Sequence, residues 1–330
     1  MQKIKVAIIC GGDSGEYEVS MGSAAVIEQH TDRNRYEPFL IQIKGSSWYY
    51  ESGNQKYFID KNDFTLPLPE DRVSFDTVFN IIHGTPGEDG KIQGYFDMMG
   101  IPYTGSGRLT SALTFNKIFC IRHIASTGLV STADSIVIRQ GADYNASTLL
   151  SSIGLPCFVK PNKGGSSVGM TFLKEPAGFD TAVARAFKED DEVLVEQFIA
   201  GTEVTCGVFR KPEGMVVLPL TEIVSKTEFF DYEAKYIKGK ADEITPARIT
   251  VEDETAIKRL SAYFYNLLDC RGVVRFDYIL SEGKIWFLEA NTVPGMSEAS
   301  IVPQQAEVFG ISLQSLISIM LEESLLMDRQ

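Results

Sequence analysis

The sequence KIKVAIICGGDSGE occupies residues 3–16 and joins an unbroken apolar run to a glycine-rich loop. The apolar run has the length of a buried strand, and we predict a helix after the loop, to about residue 30. Two further predicted strands, 36–43 and 76–82, continue the pattern, and the second ends in HGTPGEDG at 83–90. A helix to residue 99 and the loop GIPYTGSG at 100–107 close the unit. Alternation of strands and helices predicts a doubly wound parallel sheet that binds ligands at the carboxyl ends of its strands.

The middle of the chain changes from this alternation to short strands. A helix is predicted at 108–125, another at 179–187, and strands at 135–138, 156–160, 170–173, 193–198 and 203–209. Because the Gly/Ser-rich loop 162–169 joins two strands, this part is predicted to be a small α+β domain with antiparallel pairing. A helix at 252–268, paired strands at 272–280 and 284–290, and a C-terminal helix follow. The predicted class is therefore α/β and α+β, with domains at 1–107, 108–203 and 204–330.

The composition is that of a globular protein, with 44% hydrophobic and 23% charged residues. A formal net charge of −13 argues against a protein that coats nucleic acid or an anionic membrane, because both need a basic face. No apolar run has the length of a membrane span or a signal peptide, and the five cysteines form no CxxC pair. We therefore expect a cytoplasmic protein with reduced thiols, with no membrane or nucleic-acid partner. A local basic pocket for phosphates is compatible with this charge.

Four polar residues interrupt the two apolar strands near the C-terminus: Arg275, Asp277, Glu289 and Asn291. A three-residue loop at 281–283 would place Arg275 opposite Glu289, with Asp277 and Glu289 as diagonal neighbours on one face. A two- or four-residue loop would place those two carboxylates on opposite faces. Their oxygen atoms suit a hard cation such as Mg²⁺. An Arg275–Glu289 salt bridge with Asp277 at the surface is an equally good interpretation of these strands alone.

A second candidate site is the segment from Lys160 to the Gly/Ser loop 162–169. Its backbone N–H groups and the lysine suit phosphate oxygens, although the loop lacks the Walker pattern and a plain turn is the commoner structure. Lys117 is predicted to be a solvated lysine inside a helix. Glu196 and Glu203 flank a chain reversal, and they are either solvated or available to the hydroxyl groups of a ribose.

Glu16 has two interpretations. Asp13 and Glu16 have the spacing of a capping box before the first helix, and alternatively Glu16 receives a substrate ammonium group. His83 belongs to a loop that simply starts the next helix or contributes to a site. The charged segment 225–247 is either a solvated linker or a lid over a ligand, and its aromatic residues favour the lid.

Taken together, these stretches resemble the D-alanine–D-alanine ligases of the ATP-grasp superfamily. The resemblance covers nearly the whole chain and rests on motifs in the same order: GGxSxExEVS at 11–20, HGxxGEDG at 83–90, YTGS at 103–106, Lys117, KP at 160–161, GSSVG at 165–169, YEAKY at 232–236, RFD at 275–277 and LEANTxPGM at 288–296. It implies a three-domain ATP-grasp architecture with ATP held between the central and C-terminal domains.

The resemblance also implies a role for each matching residue. The nucleotide is assigned to Lys117, Lys160, Ser167, Glu196, Phe198, Ile199, Glu203 and Lys235. Two Mg²⁺ ions, or Mn²⁺ in their place, are assigned to Asp277, Glu289 and Asn291. Glu16 would bind the ammonium of the first D-alanine, and Tyr236, Ser166 and Glu16 would form a hydrogen-bonded set that locks the lid. The developing oxyanion is assigned to Arg275 and the N–H of Gly295, and the substrates to His83, Ser300 and Ile301 as well.

The activity implied is ATP-dependent joining of two D-alanines through an acyl phosphate, for peptidoglycan precursors, in a homodimer. Tyr236 favours a dipeptide over a D-alanine–D-lactate product. The alternatives are a ligase for another D-amino or D-hydroxy acid, a non-catalytic ATP-binding regulator, and an NAD-dependent dehydrogenase. The dehydrogenase is disfavoured because residues 11–15 do not fit GxGxxG. The chain departs from the family pattern at Tyr17, Gly164 and Ala299, where Arg, an acidic residue and His are common.

Overall fold

The structure is a computed structural model, which describes residues 3–225 and 241–327. Its first sheet has five strands, in the order β4 (Gln55–Phe58), β3 (Ser47–Ser52), β2 (Tyr36–Lys44), β1 (Ile4–Gly11) and β7 (Thr77–Asn80). Three neighbouring strands of this sheet are parallel, as predicted: β2, β1 and, at the edge, β7. Residues 6–10 of β1 are all buried, because strands pair with β1 along both of its edges and helices pack on both faces of the sheet. These helices include α1 (Tyr17–His30) and α2 (Lys91–Met99).

The same sheet extends further than the sequence predicted. Two antiparallel strands, β3 (Ser47–Ser52) and β4 (Gln55–Phe58), continue it at the β2 edge. Both are short and mostly exposed, so they lack the apolar run that marked β1. A two-stranded ladder of β5 (Leu66–Pro67) and β6 (Arg72–Val73) follows before β7.

The second sheet is antiparallel, as predicted, with the order β11-β10-β12-β9. Its strands are β9 (Ser135–Arg139), β10 (Cys157–Pro161), β11 (Thr171–Leu173) and β12 (Glu192–Gln197). The helices α5 (Ala146–Ile153) and α6 (Phe179–Ala186) share its apolar core. The Gly/Ser loop 162–169 therefore connects the neighbouring antiparallel strands β10 and β11, at the end of the sheet that faces the site.

The helix predicted at 108–125 is two helices, α3 (Arg108–Phe115) and α4 (Lys117–Ala125). Asn116 breaks it with an extended backbone (φ −84°, ψ 97°), and its side chain accepts a hydrogen bond from the N–H of Phe119 (3.2 Å). A short amide side chain competes well with helical hydrogen bonds, which explains the break. The consequence for the site is that Lys117 lies at the start of a helix and not inside one.

The third sheet contains the C-terminal strands in the order β16-β15-β13-β17-β18-β8, with β14 paired to β13. The strands are β8 (Ser131–Thr132), β13 (Thr202–Lys211), β14 (Gly214–Val217), β15 (Thr221–Ser225), β16 (Ala241–Ile244), β17 (Val274–Ser281) and β18 (Lys284–Asn291). Three helices accompany them: α7 (Val251–Leu267), α8 (Ile301–Phe309) and α9 (Leu313–Met327). One apolar cluster joins β1 and α1 to α8 and α9, which brings the first and third sheets together.

No single helix in the described parts of the chain is long and apolar enough to cross a membrane. Residues 301–309 and 313–326 meet that length and composition only as a pair, which is bent by 101°.

Candidate active site

The hairpin of β17 and β18 holds the four polar residues singled out in the sequence, but its register differs from the prediction. The turn has two residues, Glu282 and Gly283, with φ of 51° and 73°, and it pairs Ser281 with Lys284. A register shift between Asp277 and Tyr278 then compensates for the shorter turn. Such a shift places an extra residue in one strand, and so it changes which side chains of β17 and β18 lie on the same face of the hairpin. Asp277 consequently lies directly opposite Glu289, and Arg275 lies opposite Asn291.

Arg275 pairs with Asp277 along the same strand, so the alternative of an Arg275–Glu289 pair with a surface Asp277 is wrong. Its guanidinium donates two hydrogen bonds to the carboxylate, at 2.8 and 2.6 Å, and Asp277 is only 6% exposed. Thr205 on β13 donates a third, at 2.6 Å. Burial by itself lowers the pKa of Arg275, but the Asp277 charge and hydrogen bonds more than offset it and hold that pKa above its usual range. The guanidinium therefore stays charged.

The donor set of this hairpin fits a hard cation only in part. Asp277 and Glu289 face each other across the strands, and Asn291 adds an amide oxygen. Within residues 3–225 and 241–327, no three His, Cys, Asp or Glu side chains are grouped to hold a metal. Two carboxylates and an amide suit Mg²⁺, which usually completes its octahedron with water and substrate phosphates. The residues therefore fit an ion that is shared with a phosphorylated ligand.

Two cavities meet at this hairpin. The first, about 460 Å³, lies between the second and third sheets. Of the predicted nucleotide and metal residues, the following line it: Lys117, Lys160, Ser167, Glu196, Phe198, Ile199, Glu203, Asp277 and Glu289. The Lys160 ammonium donates to the Glu196 carboxylate at 2.6 Å, and the Lys117 ammonium donates to the carbonyl of Gly164. The solvated placement considered for Lys117 and Glu196 is wrong, because the Glu196 side chain is buried and the Lys117 ammonium is bonded to the loop carbonyl.

The second cavity, about 470 Å³, lies between the first and third sheets. The predicted substrate residues line it: Glu16, His83, Arg275, Gly295, Ser300 and Ile301. The predicted metal ligand Asn291 also lines this second cavity. Glu16 is 7% exposed, and its carboxylate accepts a hydrogen bond from the Ser166 hydroxyl. The capping box is wrong: Glu16 makes no side-chain cap, and the Asp13 carboxylate accepts from the N–H of Gly45 (2.6 Å). Glu16 is thereby left to face the cavity.

The Gly/Ser loop 162–169 separates the two cavities and is conformationally strained. Ser166 and Ser167 have φ of 51° and 60°, a region that residues with side chains seldom adopt. A Cβ atom on Gly165 would lie 2.6 Å from Oε2 of Glu16, so any other residue here would require the Glu16 carboxylate or the loop to move. Observed strain of this kind concentrates at ligand-binding loops.

Two titratable groups in the second cavity are shifted by burial. Burial and then the charge of Glu16 raise the pKa of Glu88 to about 8, and the Glu88 carboxylate accepts from the N–H of Gly84 (2.7 Å). Burial lowers the pKa of His83, against the opposing effect of Glu16. The Nε2 atom of His83 is buried without a partner among the described residues. Both groups are thus held toward their neutral forms.

Thr205, Glu222 and Glu243 are polar lining residues of these cavities that were not predicted from the sequence. Each lies on a strand of the third sheet and comes to the site only through strand pairing. Tyr236 and Lys235 lie outside the described residues, so the predicted Tyr236–Ser166–Glu16 set is represented by its Ser166–Glu16 hydrogen bond alone.

Family models match almost the entire chain. Residues 5–106 match the N-terminus of D-Ala–D-Ala ligase, and residues 125–322 match its C-terminus. A D-alanine–D-alanine ligase of Bacteroides fragilis (strain YCH46) is 43% identical over 322 residues, which cover 97% of this chain and 99% of that protein.

Two solved structures show the same architecture. The VanG D-Ala:D-Ser ligase of Enterococcus faecalis superposes with a TM-score of 0.86 at 30% identity, covering 98% of this chain and 100% of that one. The D-alanine–D-alanine ligase of Bacillus anthracis complexed with ATP superposes with a TM-score of 0.79 at 29% identity, covering 100% and 99%. The family resemblance and the fold class predicted from the motifs are confirmed. The chain belongs to the D-alanine–D-alanine ligase family, whose members are ATP-using, ADP-forming ligases.

Proposed function

We propose that this chain joins two D-alanine molecules to D-alanyl-D-alanine and converts ATP to ADP and phosphate, for peptidoglycan precursors. One observation supports this beyond family membership. The two cavities share their lining at Lys117, residues 164–166, Arg275 and Glu289. A phosphoryl donor in the first cavity and a carboxylate acceptor in the second would meet at these residues.

In the first cavity, the apolar side chains of Phe198 and Ile199 suit an adenine ring, and Glu196 and Glu203 suit ribose hydroxyl groups. The cations of Lys117 and Lys160 and the backbone of the Gly/Ser loop, including Ser167, suit the phosphates. Asp277, Glu289 and Asn291 would hold two Mg²⁺ ions. When bound, these ions would neutralise charge on the transferring phosphoryl group.

In the second cavity, Glu16 would bind the ammonium of the first D-alanine and leave its carboxylate near Arg275. This carboxylate takes the γ-phosphoryl group of ATP and becomes an acyl phosphate. The amine of the second D-alanine then attacks the carbonyl carbon, the carbon–oxygen bond to the phosphate breaks, and phosphate leaves. Arg275 and the N–H of Gly295 would stabilise the oxyanion, and one such donor contributes about 3–4 kcal/mol. His83, Ser300 and Ile301 would position the substrates.

Several predictions from the sequence are retained as parts of this proposal. They are the domains 1–107, 108–203 and 204–330, the homodimer, a cytoplasmic location, and the roles of Lys235 and Tyr236. The location is supported by five buried cysteines that all carry free thiols.

The test is product identification by mass spectrometry. Purified protein is incubated with ATP, Mg²⁺ and D-alanine, with and without D-serine or D-lactate. We expect phosphate release and D-alanyl-D-alanine from D-alanine alone. Turnover only in a mixture would contradict the proposal, and D-serine is the second candidate because of the structural similarity to the D-Ala:D-Ser ligase. ATP binding without phosphate release, undiminished in an Asp277→Ala/Glu289→Ala variant, would instead favour a non-catalytic regulator.

A further inference from the structure

Glu243 on the edge strand β16 lies on the face of the third sheet that forms the site. It pairs with Ile223 across β16 and β15, and Ile223 pairs with Glu203 across β15 and β13. Glu203 in turn lies opposite Ile279 on β17. Directly paired residues point to the same side of a sheet, and side chains alternate along each strand. The Glu243 side chain therefore shares its side of the sheet with Arg275, four residues before Ile279.

Within the described residues, the Glu243 carboxylate has no hydrogen-bond or ion-pair partner, and it is half-buried. It lines the second cavity with Asn291, Gly295 and Ser300. Burial raises the pKa of Glu243, and the positive charge of Arg275 acts in the opposite direction. A carboxylate held in a cavity in this way costs free energy unless a ligand supplies a cation or a hydrogen-bond donor.

The second cavity must accept two amino acids, each with one ammonium group. The Glu16 carboxylate is bonded to Ser166 of the Gly/Ser loop and lies at the other wall, on the first sheet's side. Arg275 and the N–H of Gly295 are cationic or donor groups, which suit carboxylate and oxyanion oxygens and repel an ammonium. Among the described lining residues on the side of the third sheet, Glu243 and Glu289 are the carboxylates, and Glu289 faces Asp277 at the proposed metal position. On this side of the cavity, Glu243 is thus the described carboxylate that the proposed chemistry leaves unassigned.

We propose that Glu243 is a specificity-determining residue that pairs with the ammonium group of the second D-alanine and so selects an amino acid over a hydroxy acid. This inference rests on the proposed function. A hydroxy acid has a neutral hydroxyl in place of the ammonium, and a charge-assisted hydrogen bond is roughly twice as strong as a neutral one. Glu243 therefore binds a second substrate with an ammonium group more strongly than one with a hydroxyl group.

The experiment compares Glu243→Gln with Asp242→Asn. Asp242 is the neighbouring residue on β16, and its side chain is exposed on the opposite side of that strand. Its variant therefore removes one carboxylate charge from the same strand but not from the cavity. The KM values for ATP, for the first and for the second D-alanine are measured, with the ratio of dipeptide to depsipeptide from equal D-alanine and D-lactate. Wild-type turnover of D-alanine is measured first, so that failure of the proposed function is recognised separately.

In Glu243→Gln, we expect the KM for the second D-alanine to rise about 10-fold or more, with the product ratio shifting by a similar factor toward the depsipeptide. The other two KM values and the melting temperature should stay near wild type, as should all values in Asp242→Asn. Glu243→Asp should recover part of the preference, because it retains the charge. An unchanged second KM, an equal rise in both D-alanine KM values, or the same shift in Asp242→Asn would overturn the proposal.

Discussion

The two cavities differ in how their charged groups are compensated. In the first, the cations have acceptors within the protein: Lys160 has Glu196, Arg275 has Asp277, and Lys117 has the carbonyl of Gly164. In the second, burial shifts the pKa of Glu88 and Glu243 upward and that of His83 downward. Ion pairs therefore compensate the charged groups of the first cavity, whereas burial holds several groups of the second cavity toward their neutral forms.

This difference has a consequence for substitutions. Removing one partner of a buried pair leaves the other charge uncompensated, which is costly in the folded protein and in the reaction. Removing a group that burial already holds toward its neutral form lowers the stability of the folded protein less. Its main effect is expected on substrate affinity. Variants in the first cavity should therefore impair turnover most, and variants in the second should act on substrate affinity and pH dependence.

The largest effect is expected from Asp277→Asn. This change removes a proposed metal ligand and the carboxylate charge beside Arg275, while it preserves the side-chain shape. Phosphate release with saturating D-alanine should fall at least about 100-fold. The control is Glu282→Gln, which removes an exposed carboxylate at the tip of the same hairpin. A loss of less than tenfold in Asp277→Asn would contradict the pairing described for the first cavity.

A smaller loss is expected from Gly165→Ala on the loop between the cavities. The new Cβ atom would lie 2.6 Å from Oε2 of Glu16, so the loop or the carboxylate must move. Misplacement by about 1 Å can cost up to about 100-fold, and we expect kcat/KM for D-alanine to fall at least about tenfold. Gly94→Ala on α2 is the control, because a Cβ there meets nothing within 4 Å. Equal kinetics for the two variants would show that the Glu16 contact is unimportant.

Thr205→Val sharpens the comparison within the first cavity. It removes the hydroxyl that donates to Asp277 but leaves the Arg275 pair in place. Since one hydrogen bond to a charged group is lost, kcat should fall about 10-fold, well short of the Asp277→Asn effect. Thr205→Ser retains the hydroxyl and should stay close to wild type. A Thr205→Ser variant as impaired as Thr205→Val would assign the effect to packing.

The smallest effect is expected from Glu88→Gln, measured as stability against pH. The pKa of Glu88 is about 8 in the folded protein and near 4.5 when exposed. The folded state therefore binds more protons between these values, and stability falls as pH rises through that window. From about pH 6 to pH 8, the wild-type Tm should fall by about 2 °C more than that of Glu88→Gln. Parallel Tm profiles would contradict a protonated Glu88.

Much of the molecule follows from local sequence. The buried run before Gly11 predicts a central parallel strand, and the Gly/Ser loop 162–169 between two short strands predicts the antiparallel sheet. The edge strands β3 and β4 escaped prediction because their half-exposed residues lack a strong apolar pattern. The break at Asn116 also escaped prediction, since an amide inside a helical stretch is ambiguous until its partners are known.

The candidate site shows the same division. All its predicted residues within the described parts of the chain line at least one of the two cavities. They could be predicted because they belong to motifs that match those of the family. Thr205 and Glu243 were missed, since a single Thr or Glu on a strand carries no signal of what faces it. Thr205 is 72 positions from Asp277, and their hydrogen bond depends on the pairing of β13 with β17.

The sequence by itself determined the residue types of the site, the order of the main buried strands and helices along the chain, and the family. Only the tertiary structure decided which of these residues meet. Asp277 and Glu289 face each other because a two-residue turn is combined with a register shift. The Arg275 guanidinium bonds Asp277, its neighbour on the same face of the same strand. Side chains alternate between the two faces of a strand, so a shift of one residue in the pairing changes which side chains share a face. Packing across the whole sheet determines that pairing.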